Sequence, residues 1–173
     1  MKHVIFNIVS VILLCLFAFT NSFAQATASA SISATIVTPI GISKTIDMDF
    51  GSASVTSNAG TIVLSPAGTR TKTGGVTLST AGFPSAATFN VTGEGAYTYS
   101  ITLPNSCTIT NTNGTRGEIM TINSFVSNPT TTAGTLTSGA QKLNVGATLN
   151  VGDSQVPGVY ISGTNFDVTI NYN

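Results

Sequence analysis

Histidine, cysteine, tryptophan and charge are all scarce in this chain. Its 173 residues include one His, two Cys and no Trp, and only 7% are Asp, Glu, Lys or Arg. His3 and Cys15 both lie in an apolar N-terminal segment, so Cys107 is the single thiol beyond that segment and no His remains there. A serine or cysteine hydrolase usually needs such a base beside its nucleophile. The composition argues against an enzyme, and a lone thiol excludes an intrachain disulfide.

The few charged residues are scattered and nearly balanced. Lys2 lies in the N-terminal segment, and removing it from the six basic residues leaves five against six acidic ones. No basic face suits nucleic acid or an anionic lipid surface. Asp47 and Asp49 are close together, but no acidic loop follows them to complete a Ca²⁺ shell. We therefore predict no cofactor, no metal and no nucleic-acid partner.

The first 24 residues are typical of a signal peptide. A short basic start precedes an apolar run over residues 4–19, and Ser22-Phe23-Ala24 ends on the small residue that signal peptidase requires. Cleavage before Gln25 predicts export to the periplasm, the cell surface or the medium. A retained membrane anchor is the alternative interpretation. No later stretch is long and apolar enough to span a bilayer, so we expect no span in the mature chain.

Polar and apolar residues alternate along most of the remaining chain. ATFNVTG puts Phe89 and Val91 on one face, and Tyr97 and Tyr99 follow with the same spacing, which predicts that they face the core. Turn residues recur about every ten positions, and Gly93–Gly95 reads as a hairpin turn with positive φ. The pattern predicts eight to ten strands. We expect an all-β, immunoglobulin-like, two-sheet antiparallel β-sandwich over residues 39–173.

Both ends of the chain beyond the signal peptide alternate strongly. Residues 25–38 contain ATASASISATI, and the final segment is FDVTINYN. The apolar positions of the first are Ala26, Ala28, Ala30, Ile32, Ala34 and Ile36. Those of the second are Phe166, Val168, Ile170 and Tyr172. An uncovered sheet edge is a template for another chain, and exported pilins fill such an edge with the N-terminal strand of the next subunit. We predict that residues 25–38 are a donor strand and that the C-terminal strand flanks the acceptor groove.

Six ordered motifs resemble the bacterial exported family DUF4402, a domain of unknown function. They are MDFGS (48–52), LSPAGTRTKTGGV (64–76), ATFNVTGEG (87–95), YSITLP (99–104), LNVGATLNV (143–151) and PGVYISGTNFDVTINYN (157–173). The family name carries no activity. Similarity to spore coat protein U and to chaperone-usher pilins implies an immunoglobulin-like sandwich and a fimbrial role, with a periplasmic chaperone and an outer-membrane usher as partners. Tyr172 matches the penultimate position of pilins, whereas the lone Cys107 departs from the disulfide that many of them carry.

Two functions remain open at this stage. The favoured one is a non-enzymatic structural subunit that assembles with its own copies, or with related subunits, into surface fibres by donor-strand exchange. The alternative is a self-contained monomeric surface module for carbohydrate binding or adhesion, in which residues 26–36 pair within their own sandwich. For Cys107 we expect a small, buried apolar side chain rather than a reactive thiol.

Overall fold

The computed structural model describes residues 25–113, 118–131 and 134–173, so the predicted signal peptide lies outside the described residues. The chain divides into two units, residues 1–35 and residues 36–173. In the first unit, residues 25–35 form no helix or strand, and all of them are exposed. Everything that follows on sheets and core concerns the second unit.

The described part of the chain consists of strands and turns, which confirms the all-β class. The strands are β1 (Gly41–Ile46), β2 (Ala53–Val55), β3 (Gly60–Leu64), β4 (Arg70–Lys72), β5 (Val76–Leu78), β6 (Ala87–Thr92), β7 (Thr98–Thr102), β8 (Ser106–Asn111), β9 (Ile119–Asn128), β10 (Gly134–Thr135), β11 (Ala140–Val151), β12 (Tyr160–Ile161) and β13 (Thr169–Tyr172). These thirteen exceed the eight to ten expected, because five have only two or three residues and give almost no periodic signal. Within the described ranges, no helix has the length and hydropathy to cross a membrane.

The largest sheet has eight antiparallel strands centred on β11. Its main path runs β1-β6-β11-β9-β8-β12, and β3 pairs with the second half of β11 and carries β4 at its far side. β11 is long enough to pair with β6 through Val145 and with β3 from Ala147 onward. Gly146 stands at this changeover, and a Cβ there would lie 2.2 Å from the Leu64 carbonyl oxygen, so only glycine permits this close approach.

Two smaller sheets contribute apolar side chains to the core beside the large one, which makes the arrangement sandwich-like. The three-stranded sheet β10-β7-β13 shares a first buried cluster with β6 and the first half of β11. The two-stranded sheet β2-β5 packs on a second cluster, with β3, β9 and the second half of β11. Met48 and Phe125 pack against both clusters. The core is therefore continuous but covered by two separate pieces.

Strict alternation explains which side chains are buried. In β3, Ile62 and Leu64 are buried while Thr61 and Val63 are half-buried on the other face. The same holds in β11, where the buried apolar positions are Leu143, Val145, Ala147 and Leu149. In β1 the pattern fails at an irregularity between Lys44 and Ile46, and the Ile46 side chain is exposed. A bulge shifts the side-chain phase by one residue, which sequence alternation alone does not reveal.

A turn is present at Gly93–Gly95 between β6 and β7, but it is not the predicted hairpin, because β6 belongs to the eight-stranded sheet and β7 to the three-stranded one. The expected positive φ was also wrong. Neither glycine has a positive φ. A Cβ at Gly93 would lie 2.2 Å from the Tyr172 hydroxyl oxygen, whereas one at Gly95 would meet no atom within 4 Å. Gly93 is thus required for the close approach of a tyrosine and not for left-handed backbone.

Candidate functional site

A large open cavity lies beside the core of the second unit. Its volume is about 1230 Å³, and its lining combines many apolar side chains with the charged residues Lys44, Asp47, Asp49 and Asp167. From the large sheet it includes Cys107, Ile109, Met120, Ile122 and Phe125. We call this cavity the groove.

The groove lies where the two smaller sheets leave the core incompletely covered. It is lined by residues of both buried clusters, such as Phe89 of the first and Leu149 of the second. Segments 47–55 and 155–162 border it, and each contains at most a very short strand. The smaller sheets have three and two strands against eight in the large sheet, and fewer strands in one layer leave part of the core uncovered.

Half of the large hydrophobic residues that are exposed in the described chain lie at two places. Ten large hydrophobic residues are exposed, and three of them, Val156, Val159 and Ile161, line the groove. Two others belong to the N-terminal segment, where Ile32 is 98% exposed and Ile36 is 97% exposed. Exposed apolar clusters of this kind usually mark an interaction surface.

The C-terminal strand β13 has a free edge. It pairs with β7 on one side and with no other strand in the described ranges. The Asn173 N–H donates to the Thr98 carbonyl oxygen over 3.2 Å, so the odd residues of β13 direct their backbone groups toward β7. Because antiparallel pairs alternate, Ile170 and Tyr172 direct theirs toward the free edge.

The four predicted acceptor residues of this segment occupy three different places. Phe166 and Val168 precede β13 and line the groove. The Phe166 ring packs 6.4 Å from that of Phe89 and 5.1 Å from that of Phe125, measured between centroids. Ile170 is buried in the first cluster, and Tyr172 lies outside the groove lining. The structure therefore places two of the four in the groove.

The six predicted donor residues all lie on an exposed, unpaired segment. No strand is assigned between residues 25 and 40, and no ladder among the described residues includes this range. Ala26, Ala28, Ala30, Ile32, Ala34 and Ile36 are each exposed. Their role as a donor strand stays a prediction.

Thr38 is held on both sides of its backbone by two residues distant in sequence. Its N–H donates to the Glu94 carboxylate oxygen Oε2 over 2.9 Å, and its carbonyl oxygen accepts from the Tyr172 hydroxyl over 2.8 Å. The same hydroxyl accepts from the Glu94 N–H over 2.6 Å. The Tyr97 ring packs edge-on against the Tyr172 ring, with 5.4 Å between centroids. We call Thr38, Glu94 and Tyr172 the clamp.

The clamp has a pH-dependent component. Hydrogen bonds from Thr38 lower the pKa of Glu94 below its usual range. Since the folded pKa is depressed, this contact is present above the ordinary carboxyl pKa and is lost as the pH falls through the lowered value.

We expect the Thr38 amide to report this titration. In a pH series followed by ¹⁵N NMR, the Thr38 amide shift should move with a midpoint below that of a carboxyl in a model peptide, since the carboxylate is its acceptor. Glu94→Gln should remove that titration. A midpoint at or above the ordinary value would contradict the contact.

Cys107 lies in the groove and is half-buried, not fully buried as expected. It pairs with Ile122 across β8 and β9 and carries a free thiol. Desolvation raises the pKa of this thiol, which lowers its reactivity but leaves it a usable reporter of the groove.

Other predicted positions have ordinary structural roles. Tyr99 faces the core as predicted and donates its hydroxyl to Gln141 over 2.8 Å, whereas Tyr97 is 43% exposed, so the prediction that Tyr97 faces the core was wrong. Asp47 forms an ion pair with Lys44, and Asp49 accepts from the Gly51 N–H over 2.6 Å. No group of three or more His, Cys, Asp or Glu that could hold a metal occurs within the described ranges.

Two charged residues, Glu94 and Arg70, have parts in the structure that sequence reasoning missed. The Arg70 guanidinium donates to the carbonyl oxygens of Phe50, Ser52 and Ser79 over 2.7, 3.1 and 2.8 Å. Two of these acceptors belong to segment 47–55, which borders the groove. Arg70 therefore stabilises a rim that has little regular structure. The sequence offered one signal for either residue, namely that charged residues are rare in this chain.

These features define an antiparallel β-sandwich-like domain with an apolar groove, a free strand edge and an exposed alternating segment. A family model described as Domain of unknown function (DUF4402) matches residues 40–172. The chain belongs to this family, as its motifs suggested. No curated protein and no solved structure matches it.

Proposed function

We propose that this protein is an exported, non-enzymatic structural subunit that polymerises by donor-strand exchange. The alternating segment of one copy, Ala26 to Ile36, enters the groove of the next and pairs with the free edge of β13. The observation that carries this proposal is the conjunction of an apolar groove with an unpaired strand edge in a domain whose N-terminal segment is itself unpaired.

The chemistry of the groove suits a strand. Its lining offers apolar contacts to one face of an extended chain and continues through Phe166 and Val168 up to the start of β13. Beyond that lining, the backbone groups of Ile170 and Tyr172 on the free edge of β13 offer hydrogen bonds. In strand addition the main chain supplies affinity, and pockets for alternate side chains supply specificity. The donor meets this requirement with apolar side chains at even positions and Ser or Thr at odd ones.

The two surfaces that would meet are unlike, which favours a head-to-tail arrangement. The donor is the segment that precedes Thr38, and the acceptor is the groove, which β1 borders through Ile42 and Lys44. A contact between two unlike surfaces need not close, so it generates a filament.

Export and assembly factors complete the proposal. A signal peptide over residues 1–24 directs the chain out of the cytoplasm, to the periplasm and the cell surface. An open groove and a free edge expose apolar surface that aggregates unless covered. A periplasmic chaperone covering the groove and an outer-membrane usher are therefore the partners we propose, on an immunoglobulin-like framework.

Protection of Cys107 tests the proposal directly. The secreted protein is separated by size-exclusion chromatography, and each fraction is treated with N-ethylmaleimide and analysed by intact mass. We expect a ladder of oligomers in which Cys107 is protected, except in one terminal subunit, and labelling in all subunits after denaturation. The control is protein denatured before treatment, which should be labelled completely.

A monomer with protected Cys107 and no oligomers would contradict the proposal. It would favour instead the self-contained binding module, in which the groove is filled within one subunit.

A further inference from the structure

Donor-strand exchange raises a competition within each subunit. A segment tethered to its own domain has an effective concentration of about 1 mM, far above the micromolar level of free subunits. Residues 25–37 could span roughly 40 Å when extended, at about 3.3 Å per residue, so length alone does not keep the segment from its own groove. For subunits to polymerise, something must therefore keep the N-terminal segment out of the groove of its own subunit.

We infer that the clamp of Thr38, Glu94 and Tyr172 prevents the N-terminal segment from entering the groove of its own subunit and reserves that groove for a second copy of the chain. This inference rests on the proposed function and concerns the regulation of the same groove. None of the three clamp residues lines the groove.

The clamp acts where the chain would have to reverse. β1 lines the groove through Ile42 and Lys44, so a segment that enters the groove of its own subunit must reverse near Thr38 and run back along β1. Both backbone polar groups of Thr38 are occupied, one by Glu94 and one by Tyr172. Neither is then available to the hydrogen bonds of a tight turn.

Pro39 restricts the same point. A residue that precedes proline is driven from the helical region toward extended backbone, so Thr38 is disfavoured as a central residue of a turn. A reversal would place Thr38 at the first position of a turn, where its carbonyl oxygen accepts the turn's hydrogen bond, and that oxygen already accepts from the Tyr172 hydroxyl.

The tyrosine of the clamp is itself fixed. Its hydroxyl accepts from the Glu94 N–H and donates its own proton to the Thr38 carbonyl oxygen, and these two hydrogen bonds fix the position of the hydroxyl. Gly93 leaves room for the hydroxyl, and the Tyr97 ring packs against the Tyr172 ring. Because β13 also forms the acceptor edge, one strand both receives a neighbour and holds back its own N-terminal segment.

The test is the double variant Tyr172→Phe with Glu94→Ala. Glu94→Ala removes the carboxylate that accepts from the Thr38 N–H. Tyr172→Phe removes the hydroxyl that donates to the Thr38 carbonyl oxygen and retains the aromatic ring. The matched control is Tyr97→Phe with Asp153→Ala, since the Tyr97 hydroxyl makes no hydrogen bond within the described residues and Asp153 is exposed in a turn. Each protein is fractionated at about 10 µM and treated with N-ethylmaleimide as above, which leaves the tether an advantage of about 100-fold over a free neighbour.

We expect the wild type and the control to form oligomers, with reactive Cys107 in the remaining monomer. The clamp variant should form at least about ten-fold fewer oligomers, and Cys107 of its monomer should be protected. The reason is that the tethered segment, at an effective concentration about 100-fold above that of free subunits, can now enter the groove of its own subunit. Glu94→Ala alone, a change at a partly buried residue between β6 and β7, should shift the distribution in the same direction if the double variant folds poorly.

The possible failures are distinguishable. If the clamp variant polymerises like the wild type, with no protected monomer, the inference is overturned and the proposed function stands. If the wild type forms no oligomers and its Cys107 reacts freely, the proposed function fails. In that case a protected monomer of the clamp variant still supports the inference, and a reactive one overturns it.

Discussion

Ile32→Asp is expected to abolish polymerisation, whereas Ser31→Asp should leave it almost unchanged. Ile32 belongs to the even face of the segment, which we propose enters the apolar groove, and Ser31 belongs to the odd face, which stays in water. In the free subunit both side chains are exposed, so neither substitution disturbs the core.

The size of the difference follows from burial. Removing a buried Ile side chain costs about 1.5 to 3 kcal/mol of the burial energy, and placing an unpaired carboxylate in an apolar groove costs several kcal/mol more. Each 1.4 kcal/mol is about a tenfold change in affinity, so the combined loss exceeds a thousandfold. An exposed Ser31→Asp change is expected to alter stability by no more than about 0.5 kcal/mol.

The measurement is the oligomer ladder of the secreted protein, combined with Cys107 protection. Ile32→Leu serves as a conservative control, since it retains apolar volume and should retain the ladder. Equal loss of the ladder in the Ser31→Asp and Ile32→Asp variants would show that general charge repulsion, and not insertion of one face, controls assembly.

The regular parts of the fold were predictable because alternation encodes them directly. β6 and β11 have regular period-two patterns, and Phe89, Val91, Leu143 and Val145 at their apolar positions are buried. Membership of the family was also predictable from six ordered motifs. The signal in each case is local, and local pattern is the information that one sequence carries best.

The groove was less predictable, because it depends on how much of the large sheet the two smaller sheets cover. The five shortest strands give no periodic signal, yet two of them, β2 and β5, decide how much of the second cluster is covered. The final strand was also expected to begin at Phe166, whereas β13 begins at Thr169 and leaves Phe166 and Val168 for the groove. Strand order in a sheet depends on contacts distant in sequence, which alternation does not encode.

The clamp illustrates a further limit. Glu94 lies in a glycine-flanked turn and Tyr172 lies 78 positions later, so the bond between them is a property of the folded topology. The sequence identified Tyr172 by its place on an alternating strand and therefore assigned it to the acceptor face. Its hydroxyl instead donates to the carbonyl oxygen of Thr38, the last residue of the N-terminal segment.

Cysteine scanning of the donor segment should give a period-two pattern of cross-links to Cys107. Since Cys107 lies in the groove and is the single thiol of the chain beyond the predicted signal peptide, a second Cys introduced into the segment has one possible partner in a neighbouring subunit. A disulfide forms only when the two Cα atoms lie within about 7 Å and the side chains point toward each other. Ala28→Cys, Ala30→Cys and Ala34→Cys place the new thiol on the inserted face.

The odd positions provide the matched control. Ser29→Cys, Ser31→Cys and Ser33→Cys have nearly the same exposure in the free subunit, but their side chains point away from an inserted strand. After mild oxidation, non-reducing gels should show covalent multimers for an even position and little for its odd neighbours. Because successive even residues are about 6.6 Å apart, one position should dominate and so define the register. Cross-links of equal yield at odd and even positions would indicate random collision, and a cross-linked species that stays monomeric would indicate that the segment fills its own groove.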